Sequence, residues 1–227
     1  MALKLDISKA YDQVEWEFLE KIMHHLGLDE KRIHIIISCL KSVSYLVLLN
    51  GQPVGSIKPS KGLRQGDLLS PYLFLLCALG LQSLIQKAEV SDDIKGVAIC
   101  RNRPRVSHLF FANDNVLFYH ATEAECHRIL EILAVYERGS GQKINREKTN
   151  IFFSSNTQAH VKAQIQALLG VPAIHQYEKY LGLPALVGRA KKQSFIYIKE
   201  RVWKKLQGWK EKLLSQARRE VLIKVMI

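Results

Sequence analysis

The chain has 227 residues, enough for one large domain or for a domain with an appendage. Its 48% hydrophobic and 24% charged residues are typical of an ordinary globular protein and exclude a disordered or collagen-like chain. The formal net charge of +12 is uneven, because residues 187–227 carry twelve basic and three acidic side chains. A basic segment of this kind suits a polyanion such as nucleic acid, but a solvated helix face has the same composition.

Several classes of site and segment are not indicated. The four cysteines lie far apart with no C-x-x-C pair, which favours buried reduced thiols, and the eight histidines show no zinc-ligand spacing. The longest apolar stretch, Pro71–Leu81, is shorter than a bilayer requires. The first twelve residues, MALKLDISKAYD, lack the apolar core of a secretory signal. We therefore expect no membrane contact.

The first elements are a strand and two helices. Ala2–Ile7 alternates apolar residues with Lys4 and Asp6, which predicts a strand with those two polar residues on one face. Apolar residues at helical spacing follow from Tyr11 and predict a helix that Gly27 ends. A second helix is predicted over about Asp29–Ser42.

A hairpin and a long helix come next. Asn50-Gly51, set between two apolar runs, predicts a tight hairpin turn. Ser70 and Pro71 then predict the start of a mostly apolar helix reaching about Ala88, with the serine as N-cap and the proline in the first turn.

The remaining strands lie in the middle of the chain. Ile94–Cys100 and Val106–Tyr119 are strand-like, and the second contains a polar turn. Thr122-x-x-Glu125 is a capping box that opens a helix ending near Gly139. KINREKTNIFFSS is strand-like again, and after residue 158 the pattern is helical. These elements predict an α+β domain over 1–157 and a mainly helical appendage over 158–227.

Three features carry chemistry when they are taken together. Asp6 ends a strand that runs into a helix, and a second carboxylate, Asp114, follows Asn113 at a hairpin tip. Between them Gly62–Pro71, GLRQGDLLSP, is a glycine-punctuated loop entering a helix N-terminus, which attracts phosphate. Such parts build two-metal phosphoryl-transfer sites, with magnesium as the natural cation. Each of the three features also has a purely structural interpretation when it is taken alone. Asp6 would be a helix-entry residue, Gly62–Pro71 a structural loop, and Asn113-Asp114 a plain turn.

At these residues the chain resembles the reverse transcriptase of plant LINE-type (non-LTR) retrotransposons. ALKLDISKAYDQVEW is similar to the first carboxylate motif of that family, GLRQGDLLSPYLFLL to its nucleotide-site motif and HLFFANDNVLF to its second carboxylate motif. GSGQKINREKTNIFFSS and the segment that begins YEKYLGLP resemble the next block and the start of the thumb. The resemblance implies a polymerase palm, an antiparallel sheet backed by helices, followed by a partial helical thumb.

The resemblance also implies roles for individual residues. Asp6 and Asp114 match metal ligands, and Asn113 stands at the other acidic position of the second motif. The positions that match nucleotide contacts are Tyr11, Arg64, Gln65, Gly66 and Lys148. Tyr11 would disfavour a 2′-hydroxyl, or be a packing aromatic. Lys148 would assist the departing pyrophosphate, or be a surface lysine.

Asn113 departs from the family pattern at a principal metal ligand. Asparagine offers one neutral carbonyl oxygen where aspartate offers a charged carboxylate, and magnesium depends on such charge. We therefore expect weakened Mg²⁺ binding and a severe loss of turnover. Leu68, in place of the usual proline, is a milder departure. The family's fingers region is expected to be missing, because the chain begins one strand before Asp6.

The implied partners are an RNA template, a DNA primer and deoxynucleoside triphosphates, and the implied location is the nucleus. The alternative function is a nucleic-acid-binding remnant without catalysis that uses the basic C-terminal segment. The lysines we assign to nucleic-acid binding are Lys191, Lys192, Lys204, Lys205 and Lys210. Trp203 and Trp209 among them would stack on bases or pack within the protein.

Overall fold

The computed structural model describes residues 1–98, 104–111, 114–172 and 191–210, with side chains in the last stretch described for 195–204 and 207. The strands are β1 (Ala2–Leu5), β2 (Ile7–Ser8), β3 (Tyr45–Leu49), β4 (Gln52–Ile57), β5 (Val97–Ala98), β6 (Arg105–Val106), β7 (His108–Phe111), β8 (Asp114–Phe118), β9 (Lys143–Ile144) and β10 (Asn150–Phe152). The helices are α1 (Trp16–His25), α2 (Glu30–Lys41), α3 (Ser70–Val90), α4 (Glu123–Ser140), α5 (Ala159–Leu169) and α6 (Lys191–Lys210).

The principal sheet has four antiparallel strands in the order β10-β1-β8-β7. Strand β1 is central, and its partners come from parts of the chain more than 100 residues away. Two-stranded pairs are formed by β2 with β9, β3 with β4 and β5 with β6. The α+β class predicted from the sequence is therefore confirmed.

One face of the sheet packs on helices. Leu3 and Leu5, which the alternation places on one face of β1, are 1% exposed and share a core with apolar residues of α3, α4 and α5. Lys4 and Asp6 lie on the opposite, more open face and are half-buried. The polar face of β1 is therefore the one that remains accessible for chemistry.

A second core lies beneath α1 and α2. Helix α3 joins the two cores, because Leu73, Phe74 and Cys77 pack in the second and Leu81 and Ile85 pack in the first. The 21-residue α3 is long and apolar enough to span a membrane by length and composition, and it exceeds the apolar stretch 71–81 noted in the sequence. Its buried residues make it a core helix of this fold.

The hairpin β3–β4 forms as predicted. Asn50 and Gly51 have φ of 51° and 81°, which a two-residue turn requires and which glycine and asparagine tolerate. Both of its strands are exposed along their whole length.

One predicted helix start and one predicted cap are wrong, although α3 does begin at Ser70 with Pro71 in its first turn. The first helix begins at Trp16 rather than near Tyr11, because residues 9–13 form a turn in which Lys9 has a φ of 44°. Ser70 does not cap α3: its hydroxyl is buried with no hydrogen-bond partner among the described residues. Asp67 stabilises the turn just before α3, because its Oδ1 accepts a hydrogen bond from the Leu69 N–H at 3.0 Å.

The capping box of α4 is confirmed only in part. Thr122 Oγ1 accepts from the Glu125 N–H at 3.3 Å, but the Glu125 carboxylate accepts from the backbone N–H groups of His120 and Lys95. The buried glutamate therefore ties the start of α4 to the segment after α3.

The chain divides into two compact units, Met1–His175 and Gln176–Ile227. Helix α5 packs against α4 in the first unit, so this unit extends beyond residue 157, where the sequence suggested a boundary. In the second unit the described element is α6, a helix of 20 residues.

Candidate active site

The two predicted carboxylates lie at the same end of the sheet. The register between β1 and β8 pairs Lys4 with Val116 and ends where Leu5 pairs with Asn115, so Asp6 and Asp114 are each the next residue beyond that last pair. The Asp6 N–H donates to Thr149 Oγ1, and the Asp6 carbonyl accepts from the Asn145 N–H, so its backbone bonds toward the block after α4. Asp6 therefore lies just beyond the end of the β1–β8 ladder, at the same end of the sheet as Asp114.

Lys4 occupies part of this site. It lies on the same face of β1 as Asp6, two residues earlier, and its Nζ is 3.0 Å from Asp114 Oδ1. The Lys4 and Asp114 side chains are 26% and 32% exposed, so the ion pair is neither buried nor fully solvated. A diagonal cross-strand pair of this kind neutralises one of two carboxylates that would otherwise repel each other.

We tested whether the described residues fit the divalent cations that the family resemblance implies. They contain no group of three His, Cys, Asp or Glu side chains placed to hold a metal ion. One of the two carboxylates present is already paired with an ammonium group. The position next to Asp114 is Asn113, which lies outside the described residues. This donor set does not fit a two-metal site.

The turn at residues 9–15 follows Asp6 and is held by the glycine loop of the predicted nucleotide site. Gly62 N–H donates to the Val14 carbonyl, and Leu63 N–H donates to the Tyr11 carbonyl, each at 2.8 Å. The Trp16 indole N–H donates to the Gly62 carbonyl. Gly62 has a φ of +92°, and a Cβ there would lie 2.7 Å from the Asp12 carbonyl oxygen. Only glycine allows this approach.

The block after α4 holds the same turn from another side. The buried Gln142 side chain donates from Nε2 to the Ala10 carbonyl at 2.6 Å and accepts from the Tyr136 hydroxyl. Ser140 O accepts from the Glu15 N–H at 2.9 Å. Three motifs that are distant in sequence thus meet around one turn.

The Tyr11 ring at this turn stacks on Phe74, with ring centroids 4.6 Å apart and planes inclined by 8°. Tyr11 is half-buried and packs against the second core. The ring therefore has a packing role, and its predicted contact with an incoming sugar stays a prediction.

The predicted nucleotide contacts Arg64, Gln65 and Gly66 are all exposed in the loop before α3. Gly66 has a φ of +87° and open space where a Cβ would stand. Arg64 lines a cleft that also contains Asp12 and Lys61. A cationic loop leading into a long helix is compatible with phosphate binding.

Lys148 is exposed, and its backbone N–H donates to Asn145 Oδ1. It precedes Thr149, the residue that accepts a hydrogen bond from Asp6, so its backbone lies near the acidic pair. The predicted contact of its ammonium group with the departing pyrophosphate stays a prediction.

The lysines assigned to nucleic-acid binding all belong to α6. Lys204 is exposed. The side chains of the other four, Lys191, Lys192, Lys205 and Lys210, lie outside the described residues. Trp203 is 54% exposed, which leaves its ring open to stacking on a base and disfavours packing within the protein, whereas the Trp209 side chain lies outside the described residues.

Burial raises the pKa of both the Cys77 and Cys126 thiols to about 12. Thiols with such a pKa are protonated and inert, as expected for buried reduced cysteines. Cys39 is exposed, and Cys100 lies outside the described residues.

Sequence reasoning missed one residue of this site, Lys4, and one buried polar residue on the covered face behind it, Asn115. Lys4 carried a signal, since alternation places it on the face of Asp6, but its partner depends on a strand register that the sequence does not reveal. Asn115 is 3% exposed, and its Oδ1 has no hydrogen-bond partner in the described part of the chain. It lies opposite Leu5, on the sheet face covered by helices, next to Asp114.

Comparisons with known proteins show which sequences and folds the chain is similar to. The chain is 48% identical over 69 residues to an uncharacterized mitochondrial protein of Arabidopsis thaliana, a match covering 30% of this chain and 57% of that protein. It is 27% identical over 146 residues to the retrovirus-related Pol polyprotein of the type-1 retrotransposable element R2 from Popillia japonica. That match covers 64% of this chain but 23% of the polyprotein, so the chain corresponds to a part of such a protein.

Among solved structures, telomerase from Candida albicans, determined with a fragment of telomeric RNA, is similar with a TM-score of 0.52. The match covers 69% of this chain and 27% of the telomerase chain at 14% identity, and it therefore concerns the fold alone. A family model described as reverse transcriptase (RNA-dependent DNA polymerase) matches residues 1–185. The chain belongs to the reverse transcriptase family.

Proposed function

We propose that the chain is a partial LINE-type reverse transcriptase domain whose own RNA-templated DNA synthesis is absent or strongly impaired. The observation that carries the proposal is that Asp6 and Asp114 lie at the same end of the sheet with Lys4 bound to Asp114, while Asn113 precedes Asp114 in the sequence. The substrates of the ancestral reaction would be an RNA template, a DNA primer and deoxynucleoside triphosphates.

The chemistry explains the impairment. Nucleotidyl transfer needs divalent cations that join carboxylates to phosphate oxygens and neutralise the developing charge. Mg²⁺ would have been held by Asp6, Asp114 and an acid at position 113. The asparagine removes one formal charge, and Lys4 offsets another. Any cation at this site is therefore held weakly, although the turn that carries Tyr11 and the loop with Arg64, Gln65 and Gly66 are retained.

The test is primer extension on an RNA template in Mg²⁺ buffer. We expect the unmodified chain and Asp6→Ala to incorporate deoxynucleotides at the same background rate. Asp6→Ala removes a half-buried strand-end carboxylate, and circular dichroism would check that both proteins fold. Extension by the unmodified chain that Asp6→Ala abolishes would overturn the inactivity part of the proposal.

A second candidate function is nucleic-acid binding without catalysis. It is favoured by α6, in which the described cations Lys199, Arg201 and Lys204 are all exposed, and by the exposed indole of Trp203. Cations on one exposed helix can contact successive phosphates, and an aromatic ring beside them can stack on a base.

This candidate predicts salt-sensitive binding. Replacing Lys199, Arg201 and Lys204 together by glutamine should lower the slope of log affinity against log salt on duplex DNA by about 2–3, because each phosphate contact contributes about 0.9. Fluorescence anisotropy at several salt concentrations measures this slope. Lys21→Gln, in the first unit, serves as the control for losing a surface charge. Affinity of the unmodified chain that does not change with salt would exclude this function.

A further inference from the structure

Lys4 holds a position that the proposed catalytic roles leave unexplained. It is two residues before Asp6 on the open face of β1, and its ammonium contacts Asp114 at 3.0 Å across the neighbouring strand. Among the described residues, the Lys4 ammonium is the cation that contacts this pair of carboxylates, through Asp114.

The electrostatics of the site explain why this contact is favourable. Two carboxylates at the same end of a sheet repel each other, and a nearby positive charge offsets that repulsion. A divalent cation would offset it in a working polymerase. Here a monovalent ammonium on a flexible stem contacts one of the two carboxylates, and its side chain is partly open to solvent.

We propose that Lys4 is an internal substitute for the divalent cation: its ammonium occupies the Asp114 carboxylate and competes with metal ions for it. The inference deepens the proposed function, on which its relevance to polymerisation rests. Lys4 is a positioning residue in this account, because it acts on the site through Asp114. Binding of a divalent cation requires that the Lys4–Asp114 pair opens, so the pair lowers the affinity of the site for metal.

The experiment measures Mn²⁺ affinity by electron paramagnetic resonance of free Mn²⁺ on the full chain. Lys4→Met, which keeps an unbranched apolar stem, should bind Mn²⁺ on the order of tenfold more tightly than the unmodified chain. Lys4→Arg keeps the charge and should bind as weakly as the unmodified chain. The gain in Lys4→Met should disappear when Asp114→Asn is added.

The matched control is Lys21→Met. Lys21 pairs with Glu17 at 3.8 Å on an exposed helix face, so its replacement removes the same charge and leaves the acidic pair untouched. We expect no change in Mn²⁺ affinity there. Lys4→Gln replaces Lys4→Met should the methionine variant fail to fold, as judged by circular dichroism. Mn²⁺ affinity that is unchanged or lower without the lysine charge would overturn the proposal.

The outcome is separable from that of the proposed function. Affinity for Mn²⁺ is read without nucleic acid or nucleotides, whereas impairment is read from primer extension. If Lys4→Met binds Mn²⁺ more tightly and the unmodified chain does extend primers, the competition by Lys4 is supported and the proposed inactivity is refuted. If Lys4→Met binds Mn²⁺ no more tightly and the unmodified chain does not extend primers, the competition is refuted and the inactivity is supported.

Discussion

Asn113→Asp is expected to raise the rate of RNA-templated primer extension about a hundredfold above the Asp6→Ala background, a size typical of a single electrostatic contribution at a catalytic site. The substitution restores the carboxylate that the family pattern has before Asp114 in the sequence, and a third negative charge strengthens the attraction for Mg²⁺. The measurement is incorporation of one labelled deoxynucleotide into a primer annealed to an RNA template.

Two variants control this prediction. Asn113→Asp combined with Asp6→Ala should return to background, because the restored charge needs the strand-end carboxylate. Asn156→Asp makes the same chemical change at an exposed loop position and should leave extension unaltered. Equal rates for Asn113→Asp and the unmodified chain would count against position 113 as the cause of the impairment and would leave Lys4 as the remaining candidate.

Gly62→Val should lower the free energy of unfolding by roughly 3 kcal/mol, within the range for overpacking added to a strained backbone. Its φ of +92° disfavours a β-branched side chain, and the new Cβ would lie 2.7 Å from the Asp12 carbonyl oxygen. To relieve that contact the loop must retreat and lose its hydrogen bonds to Val14 and Tyr11. Urea denaturation followed by circular dichroism measures the loss.

Gly66→Val is the matched control for that prediction. Gly66 lies in the same loop with a φ of +87°, but no atom lies within 4 Å of a Cβ placed there. Gly66→Val should therefore lower the free energy of unfolding by the backbone strain alone, about 1–2 kcal/mol. Equal losses for the two variants would mean that the close approach of Gly62 to the turn at residues 9–15 does not contribute to stability.

Local patterns were sufficient to predict the elements whose signals are local. The alternation of Ala2–Ile7 predicted a strand, and Asn50-Gly51 predicted a hairpin whose turn needs two positive φ angles. Thr122 predicted the start of α4 because an N-cap depends only on nearby backbone groups. Each of these patterns depends only on residues that are close together in the sequence.

Elements fixed by distant contacts were predicted less well. Tyr11 and Val14 continue the apolar spacing of α1, yet they lie in a turn because Gly62, Leu63 and Gln142 bind its backbone. Ser70 has the sequence signal of a cap, but its hydroxyl is buried without a cap hydrogen bond, and Asp67 holds the turn before α3 through the Leu69 N–H. Tertiary hydrogen bonds decided the conformation at Tyr11 and Val14, and burial of the serine side chain decided the outcome at Ser70.

The candidate site shows the same division. The sequence identified Asp6 as an acid at a strand end and Asp114 as an acid at a hairpin tip, and the family resemblance linked them. Their adjacency, and the contact of Lys4 with Asp114, follow from the register of β1 on β8, which joins residues more than 100 positions apart. No local pattern encodes that register, and so the charge balance of the site could not be predicted.

The proposed site depends on one placement, Asp6 close to Asp114 at the end of the sheet, and a cross-linking measurement tests it without reference to activity. Residues that face each other across antiparallel strands have Cα atoms about 4.5–5.5 Å apart, within the range of a disulfide. The double variant Asp6→Cys with Asp114→Cys should therefore form, under mild oxidation of the folded protein, a disulfide that mass spectrometry maps to positions 6 and 114. The same variant in urea should not form it efficiently. No such disulfide in the folded protein would contradict the placement and with it the proposed active site.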